Sequence, residues 1–430
     1  MTLLSKYPTL NEEVLSAMRQ CDLSELAGYM GEFFQEKKES FTYRQDNSEY
    51  YINSFFPSFP GPAWNRLIKG VNDIVYHERR VPLQADIVVT GRCHCNCWHC
   101  FRAKYGEEEL SIEKIKECMN ELSELGTASV GITGGEPMLR TDIFEIIESI
   151  PEGMEGVLFS TGLGIDDACA LKFKNTRLTR CILSLDHFEE EICCKLRRNR
   201  NVFKDAVQAI KALTTQNIYT AVTVCVTQEL LKEGALQQYF EFVAGLGVQE
   251  VRVVMPIPQG NLEGSEVGRF YGKAMGLIKQ LKRENASNET FPVIVNFCEF
   301  ESSDYFGCGA GSNYIAINND GNVTPCVAVP SSFGSVHEDT LGNIYKKMGE
   351  VFSSSNCACF GISSSRVMTR DQMDTSITPT PPDVSFDIAK KCRISSERAA
   401  IFRYCASKGQ PKEGVPVEAQ TELPTPIQAI

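Results

Sequence analysis

The chain has 430 residues, which is enough for one large core with smaller appended units. Hydrophobic residues make up 43% of the chain and charged residues 23%, and no apolar run reaches the roughly 18 residues of a transmembrane helix. The net charge of −12 argues against non-specific binding to nucleic acid or anionic lipid, because both need a basic protein surface. The N-terminus lacks an apolar segment followed by a cleavage site, so we expect a cytoplasmic protein.

Residues 1–84 are predicted to form a helical extension. A capped helix begins near Asn11, a second helix follows from about Leu23 to Lys38, and neither carries a motif with a clear function. The next segment, from Phe55 to Trp64, is rich in aromatic residues and proline. We interpret it as a packed cover over one end of the following domain, with a substrate lid as the alternative.

Residues 85–299 contain strand-like and helix-like segments that alternate about six times. This alternation predicts an α/β fold with a parallel sheet, either a partial barrel or a doubly wound sheet, and periodicity does not decide between them. In both architectures ligands bind at the carboxyl ends of the strands. The predicted strands are Ile87–Thr90, Ser129–Thr133, Gly156–Ser160, Cys181–Leu185, Tyr219–Val224 and Glu250–Met255.

Beyond residue 300 the sequence changes to glycine-rich turns, short strand-like segments and cysteines, which predicts a smaller domain over residues 300–405. Within it, residues 361–385 are rich in Ser, Thr and Pro, and we interpret them as a flexible insertion. Residues 406–430 are rich in Pro, Glu and Gln and are predicted to form a disordered tail.

Three cysteines with the spacing C-x3-C-x2-C directly follow the first predicted strand; they are Cys93, Cys97 and Cys100. Three thiolates on one loop can hold three irons of a four-iron four-sulfur cluster and leave the fourth iron open for chemistry. Zinc is the alternative, but it would need a second Cys or His pair about 12 to 20 residues downstream, where only Cys118 lies. Cys95 interrupts the motif, fits the spacing less well and is left out of the predicted ligand set.

At these cysteines the chain resembles the radical S-adenosylmethionine (SAM) superfamily. The resemblance selects the partial (β/α)6 TIM-like barrel and implies that Cys93, Cys97 and Cys100 hold a [4Fe–4S] cluster whose open iron binds SAM. It further implies a reductant such as flavodoxin or ferredoxin, reductive cleavage of SAM to a 5′-deoxyadenosyl radical, and hydrogen abstraction from a substrate. It does not indicate which residue acts as a catalytic acid or base.

Polar motifs at other predicted strand ends are candidates for the SAM pocket. Gly134, Gly135 and Glu136 end the second strand, where glycines allow close backbone approach and the carboxylate is an acceptor. They resemble the family's GGE motif, which holds the amino group of SAM. Ser184 and Asp186 end the fourth strand on the same side and could bind the ribose hydroxyls, as the family's S-x-D pair does.

Four further residues complete the predicted SAM pocket. Ser160 and Thr161 end the third strand and are candidates for the same pocket. The resemblance implies that His99 lies against the adenine of SAM. It also implies that an arginine, Arg197 or else Arg198, pairs with the SAM carboxylate, a contact suited to a bidentate guanidinium.

A second group of cysteines lies in the C-terminal domain. Cys308 and Cys326 flank a predicted hairpin with an Asn-Asp-Gly turn, which brings them to one end of the hairpin. This resembles the opening of the SPASM or twitch auxiliary-cluster domain and implies at least one auxiliary [4Fe–4S] cluster. Cys357 and Cys359 are the expected remaining ligands, whereas Cys298 is either a ligand or a buried thiol. The cysteine pattern of a full SPASM domain does not continue downstream, so the number of auxiliary clusters stays open.

We therefore predict a radical SAM enzyme that modifies a peptide or protein by crosslinking, epimerisation or oxidation, assisted by an auxiliary cluster. Dehydrogenation or carbon–carbon coupling of a small molecule, sugar or lipid is the alternative within this class. A non-catalytic iron–sulfur or zinc-binding protein is the alternative outside it. The motifs at residues 134–136 and 184–186 argue against that alternative, because a carrier protein needs no SAM pocket.

Overall fold

The N-terminal part combines three helices with a three-stranded antiparallel sheet. The structure is a computed structural model that describes residues 4–411 except residues 8, 356, 357, 372, 374–376 and 393–396. The predicted helices are present, but the sequence did not predict the sheet, because its strands are only three or four residues long. The elements are β1 (Leu4–Tyr7), α1 (Glu12–Met18), α2 (Ser24–Glu36), β2 (Phe41–Arg44), β3 (Glu49–Tyr51) and α3 (Pro62–Tyr76).

Six consecutive parallel strands form the centre of a second, nine-stranded sheet, which confirms the α/β fold. Each strand is followed by a helix that returns the chain across the same face, so that neighbouring strands stay parallel. All six predicted strands are present. The elements are β4 (Gln84–Val88), α4 (Ile112–Glu124), β5 (Ser129–Thr133), α5 (Ile143–Glu148), β6 (Glu155–Ser160), α6 (Asp167–Lys174), β7 (Leu178–Ser184), α7 (Glu190–Arg197), α8 (Val202–Thr215), β8 (Tyr219–Cys225), α9 (Ala235–Gly245) and β9 (Glu250–Val254).

Helix α4 shows how the sequence builds the outer layer. The Ser111 hydroxyl accepts a hydrogen bond from the backbone N–H of Lys114 at 3.2 Å and caps the helix start. Ile115, Met119 and Leu122 recur at three- and four-residue spacing and are fully buried against the sheet. Strand residues alternate between this helix-covered face and the opposite one, which we call the inner face.

The nine-stranded sheet extends beyond the six central strands at both edges. On one side β10 pairs in parallel with β9, and on the other β11 pairs in parallel with β4 and antiparallel with β12. Strands β11 and β12 are the predicted hairpin, whose turn contains Gly321 at a φ of +84°, where glycine is favoured. The C-terminal cysteine region therefore begins within the barrel sheet. The elements are α10 (Tyr271–Glu284), β10 (Val293–Asn296), α11 (Phe297–Phe300), β11 (Tyr314–Ile317) and β12 (Val323–Thr324).

Four helices complete the described chain: α12 (Leu341–Met348), α13 (Phe360–Arg370), α14 (Pro382–Lys391) and α15 (Ala400–Ser407). The interpretation of residues 361–385 as a flexible insertion is wrong for α13, in which Ser364 and Ser365 are buried. Ser364 is fully buried and donates to the Gly361 carbonyl at 3.3 Å. Helix α15 packs on α2 and α3 and ends two residues inside the predicted tail, of which residues 412–430 lie outside the described chain.

The segment after β3 covers the amino ends of the barrel strands. Ser58 donates to Glu155, the first residue of β6, with its hydroxyl at 2.6 Å, and Ser54 donates to Glu250, the first residue of β9, at 2.5 Å. The Tyr51 ring stacks on Tyr219 with 4.7 Å between the centroids. The aromatic, proline-rich segment is thus a cover on the end of the barrel opposite the predicted site, and the lid alternative is not supported. None of the described helices is both long and apolar enough to span a membrane.

Candidate active site

The loop that carries the C-x3-C-x2-C cysteines follows β4 and is held at both sides through backbone atoms. The Trp98 N–H donates to the carbonyl of Leu196 at the end of α7, at 3.0 Å. On the other side Asn261 donates to the Cys97 carbonyl at 2.8 Å through its side chain and to the Cys100 carbonyl at 2.9 Å through its backbone N–H. These bonds fix the loop without using the three thiols, which remain available to bind a metal.

The thiols of this loop lie close together and differ in acidity. The Cys95 thiol lies within hydrogen-bond reach of Cys93 and Cys97, and together with the neighbouring His94 it lowers the pKa of Cys93 to about 4. A hydrogen bond with the Cys95 thiol, and to a smaller extent the charge of Arg197, lower the pKa of Cys97. Burial raises the pKa of Cys100. Because the thiolate is the metal-binding form, these shifts favour ligation at Cys93 and Cys97.

Cys95 also lies within the cysteine group. The ligand atoms of Cys93, His94 and Cys95 lie within 4.8 Å of one another. The structure therefore places Cys95 beside Cys93 and Cys97, with Cys100 within electrostatic range of the latter two. The choice of Cys93, Cys97 and Cys100 as ligands stays a prediction based on spacing.

The glycine–glycine–glutamate motif packs directly against the cysteine loop. The Gly135 N–H donates to the Thr90 carbonyl and the Glu136 N–H donates to the Arg92 carbonyl, both at 2.8 Å. A Cβ atom on Gly135 would overlap the Arg92 carbonyl, so only glycine allows this close approach. The motif after β5 and the cysteine loop after β4 thus form one continuous surface.

Glu136 is fully buried and its carboxylate is held by the end of β6. Ser160 donates to one oxygen at 2.7 Å, and Thr161 donates to the other through its hydroxyl at 2.6 Å and its N–H at 2.7 Å. Burial nevertheless raises the pKa of Glu136, because it outweighs the hydrogen bonds that stabilise the charged form. Five predicted pocket residues therefore lie together, and Ser160 and Thr161 orient Glu136 directly.

Asp186, Arg197 and His99 form a second buried group beside the cysteines. The Arg197 guanidinium lies 2.9 Å from an Asp186 oxygen and donates to the Cys97 sulfur at 3.7 Å, while His99 Nδ1 lies 4.0 Å from the same Asp186 oxygen. Burial opposes ionisation of Asp186, but Arg197 and His99 outweigh it and hold its pKa below the ordinary value. Asp186 was expected to bind ribose with Ser184, whereas in the structure it is paired with Arg197.

The two arginines that the sequence could not separate have different surroundings. Arg197 is the last residue of α7 and is 5% exposed, with its side chain against Asp186 and Cys97. Arg198 is exposed and takes a left-handed backbone conformation, with a φ of +52°, that ends the helix. The structure therefore brings Arg197 to the cysteine loop. Ser184 is half-buried at the end of β7, on the inner face.

The residues at the carboxyl ends of the strands fit an iron–sulfur cluster that binds a further, polar ligand. The thiols supply the soft ligands that iron–sulfur clusters take. Several buried polar atoms near them lack a hydrogen-bond partner among the described residues: both ring nitrogens of His94, Trp98 Nε1, His99 Nδ1 and Arg197 Nε. Such atoms are costly to bury unless something binds them.

The auxiliary cysteines come from separate segments that the fold brings together. Cys308, which precedes β11, donates its thiol hydrogen to Cys359 at the start of α13, and this bond lowers the pKa of Cys359 to about 7. Cys326, after β12, and Cys298, in α11, both lie within electrostatic range of Cys359. Cys357 lies outside the described residues. The sequence left Cys298 open because only the folded chain brings it near Cys359.

Arg102 links the two cysteine regions. Its guanidinium donates to the side-chain oxygens of Asn318 at 2.7 Å and Asn319 at 2.5 Å, both in the turn of the β11–β12 hairpin. Arg102 follows Cys100 by two residues and is 8% exposed. The first cysteine loop and the auxiliary hairpin are therefore held in a fixed relation.

Three charged residues between the cysteine groups were not predicted as site residues. Glu301 interacts electrostatically with Cys359 and with Arg252 of β9, and burial raises the pKa of Glu301. Asp86, in the middle of β4, interacts with Arg252 and lies within electrostatic range of Cys326. No local motif marks these residues, because they come from three separate segments that meet only in the folded chain.

Two family models match the chain. The radical SAM superfamily model matches residues 87–234, and the SPASM model, an iron–sulfur cluster-binding domain, matches residues 308–360. The chain is a radical SAM enzyme with a C-terminal SPASM domain. The radical SAM domain binds a [4Fe–4S] cluster and SAM, and the SPASM domain binds an auxiliary iron–sulfur cluster.

Relatives of this radical SAM enzyme have different products. An AdoMet-dependent heme synthase from Oleidesulfovibrio alaskensis is 24% identical over 286 residues, covering 60% of this chain and 73% of its own. The antilisterial bacteriocin subtilosin biosynthesis protein AlbA from Bacillus subtilis is 24% identical over 275 residues, covering 63% and 60%. The structure of Streptococcus suis SuiB bound to its precursor peptide SuiA matches with a TM-score of 0.53 at 14% identity, covering 66% and 69%, and shows a shared fold.

Proposed function

We propose that this radical SAM enzyme modifies a peptide or protein, by crosslinking, epimerisation or oxidation. The observation that carries the proposal is the similarity to AlbA, a protein of bacteriocin biosynthesis, over 63% of this chain. The fold shared with SuiB, a protein solved with its precursor peptide, gives further support. A chain with both a radical SAM and an SPASM domain has the machinery for such a reaction.

The proposed ligands of the SAM-binding cluster are Cys93, Cys97 and Cys100. When reduced by a partner such as flavodoxin or ferredoxin, the cluster with SAM supplies a 5′-deoxyadenosyl radical that removes a hydrogen atom from the substrate. The rigid loop at residues 134–136 would hold the SAM amino group. Its carboxylate is oriented by the end of β6, as described above.

Arg197 is the proposed partner of the SAM carboxylate, because Asp186 fixes its guanidinium next to Cys97. His99 lies in the same group and would contact the adenine, and Ser184 would contact the ribose. The proposed auxiliary ligands are Cys308, Cys326 and Cys359, with Cys298 or Cys357 as the fourth. We also propose a cytoplasmic location, where reductant proteins are available.

A second candidate is the oxidation of a small molecule. The match to an AdoMet-dependent heme synthase supports it, since that relative is equally identical over a similar length. The two candidate functions differ in the substrate, which is a peptide in the first and a small molecule in the second. Measuring which substrate is converted when SAM is cleaved therefore distinguishes them.

The test uses the full chain, reconstituted anaerobically with iron and sulfide, reduced and supplied with SAM. Small peptides encoded beside its gene are incubated with it and analysed by mass spectrometry. We expect one peptide to lose two hydrogens, as in crosslinking or oxidation, or to gain one deuterium in D2O, as in epimerisation. Turnover of a small molecule without any peptide change would contradict the peptide proposal and favour the second candidate.

A further inference from the structure

Two layers of buried charged residues lie on the inner face of the barrel, and only the lower one consists of directly paired groups. In the lower layer, next to the cover, Arg180 forms an ion pair with Glu155 at 3.0 Å. Glu250 accepts hydrogen bonds from Ser54 and, at 2.9 Å, from Tyr219. These contacts join the cover to the strands and account for the burial of the charges.

The upper layer consists of Asp86 and Arg252, each 6% exposed, and both carry polar atoms without partners. Tyr314 donates to one oxygen of Asp86, while the other oxygen, Oδ1, has no hydrogen-bond partner among the described residues. Within the same described residues, Nε and Nη1 of Arg252 also lack partners. The two side chains attract each other electrostatically, but they do not form an ion pair.

The surroundings of this pair are aromatic, and the Asp86 carboxylate packs closely against the neighbouring strand. The Arg252 guanidinium lies 4.3 Å from the centroid of the Phe55 ring and 5.3 Å from that of Phe159. Gly131, on the neighbouring strand β5, faces the carboxylate, and a Cβ atom at this position would overlap Asp86 Oδ1. Only glycine at this position therefore allows the Asp86 carboxylate to approach β5 so closely.

Opposite charges that are buried without contact cost stability, so a structural role alone does not explain them. The unpartnered atoms are two N–H donors on Arg252 and one acceptor oxygen on Asp86. A ligand that satisfies both must offer an acceptor to Arg252 and a donor to Asp86. An amide has this character.

We propose that Asp86 and Arg252 form a substrate subsite that binds an amide group, with its oxygen toward Arg252 and its N–H toward Asp86. The subsite deepens the proposed function and rests on it in one respect, since amides are the polar groups that a peptide supplies. It lies within electrostatic range of the auxiliary cysteine Cys326. A substrate amide here would be next to the auxiliary site.

The binding test uses the anaerobically reconstituted full chain and four small probes, followed by ligand-observed NMR. Propionamide represents a side-chain carboxamide and N-methylacetamide a main-chain amide, while propionate and propylammonium offer an acceptor or a donor alone. We expect millimolar binding of at least one amide. Stronger binding of propionamide would identify a side-chain source, and stronger binding of N-methylacetamide a main-chain source. Binding of propionate or propylammonium without either amide would overturn the proposal.

Three variants test whether the amide binds at this pair. Asp86→Asn and Arg252→Met should each weaken amide binding at least about tenfold, because each removes one partner. Gly131→Ala keeps both charges but its Cβ atom would displace the Asp86 carboxylate, and the same loss is expected. Unchanged amide binding in all three variants would show that the probe binds elsewhere and would overturn the proposal.

Thermal unfolding of matched variants separates a binding role from a structural one. Arg180→Met, in the paired lower layer, should lower the Tm by about 5 °C or more. Arg252→Met should leave the Tm unchanged or raise it, because no direct ion pair is lost. A fall as large as that of Arg180→Met would show that Arg252 is structural and contradict the proposal.

The outcomes for the subsite and for the proposed function can be told apart. If the wild type releases 5′-deoxyadenosine and modifies a peptide but binds neither amide, the subsite is wrong and the proposed function stands. If the amides bind through Asp86 and Arg252 but no peptide is modified, the subsite stands and the proposed function is wrong.

Discussion

The two ends of the barrel are built from the same strands but use buried polar groups in opposite ways. At the amino ends, residues 51–59 cover the strands, and the carboxylates of Glu155 and Glu250 are bound to the cover. At the carboxyl ends, the described cysteines form no disulfides, and histidine nitrogens and Arg197 Nε lack hydrogen-bond partners among the described residues. The amino-terminal end, which we call the closed end, therefore stabilises the fold, while the carboxyl-terminal end, which we call the open end, keeps groups available for ligands.

Arg197→Ala should have the largest effect, because it removes a group of the open end and leaves Asp186 buried without its partner. We expect a loss of about 100-fold in SAM cleavage, together with about 3 to 5 kcal/mol in the free energy of unfolding. Release of 5′-deoxyadenosine and urea unfolding measure the two effects. Arg198→Ala, at the exposed neighbour, is the matched control and should change neither. An equal loss in both variants would contradict the assignment of Arg197.

Arg180→Met breaks the ion pair with Glu155 at the closed end and should affect stability alone. The free energy of unfolding should fall by about 3 to 5 kcal/mol, because a buried carboxylate loses its charged partner. SAM cleavage per folded molecule should stay at the wild-type rate. Arg177→Met, at an exposed position just before β7, is the control with the same change of side chain. If Arg180→Met abolished SAM cleavage in folded protein, the two ends would not be separable.

Asp86 lies between the two ends and gives a pH-dependent test. Burial raises the pKa of Asp86 to about 6, so the folded protein holds this proton at pH values where the unfolded chain has lost it. The free energy of unfolding should therefore fall as pH rises from about 4 to about 6. At about pH 8, Asp86→Asn should be more stable than wild type by about 2 to 3 kcal/mol, and near pH 4 the difference should vanish.

Urea unfolding of the apoprotein across this pH range measures the effect of Asp86→Asn. A stability difference that does not vary with pH would show that Asp86 is ionised in the folded protein at all these pH values. Asp86 would then resemble the paired charges of the closed end.

Ser111→Ala should have the smallest effect, because it removes a helix cap on the outer layer, away from both ends. We expect a loss of about 1 kcal/mol in the free energy of unfolding, since the Lys114 N–H loses its acceptor. Ser111→Asp keeps a capping oxygen and should retain wild-type stability. A change in SAM cleavage by Ser111→Ala in folded protein would mean that the outer helices also influence the open end.

The sequence predicted those features that depend on neighbouring residues. The six strands and α4 follow from local periodicity and a cap, and the cysteine loop follows from spacing. The prediction of a flexible insertion rested on composition alone and was wrong for α13, because composition does not show that serines of this helix are buried. The pairing of Asp186 with Arg197, and the approach of Cys298 to Cys359, depend on segments that meet only in the folded chain.

The pair of Asp86 and Arg252 on the inner face could not be predicted from the sequence for the same reason. Asp86 and Arg252 are separated by more than half of the barrel sequence, and neither belongs to a local motif. A charged residue in a predicted strand usually indicates an exposed position. Strand alternation places both side chains on the inner face, and local sequence does not show that this face is interior.

The most direct test of the central claim is the release of 5′-deoxyadenosine by the reconstituted, reduced protein given SAM, with iron measured in the same sample. The open end is predicted to support this release, with about eight irons per chain for two four-iron clusters. Cys97→Ala should abolish it, while Cys169→Ala, on the outer helix α6, should not. A wild-type protein that binds iron but releases no 5′-deoxyadenosine, or a Cys97→Ala variant that releases as much as wild type, would contradict the account.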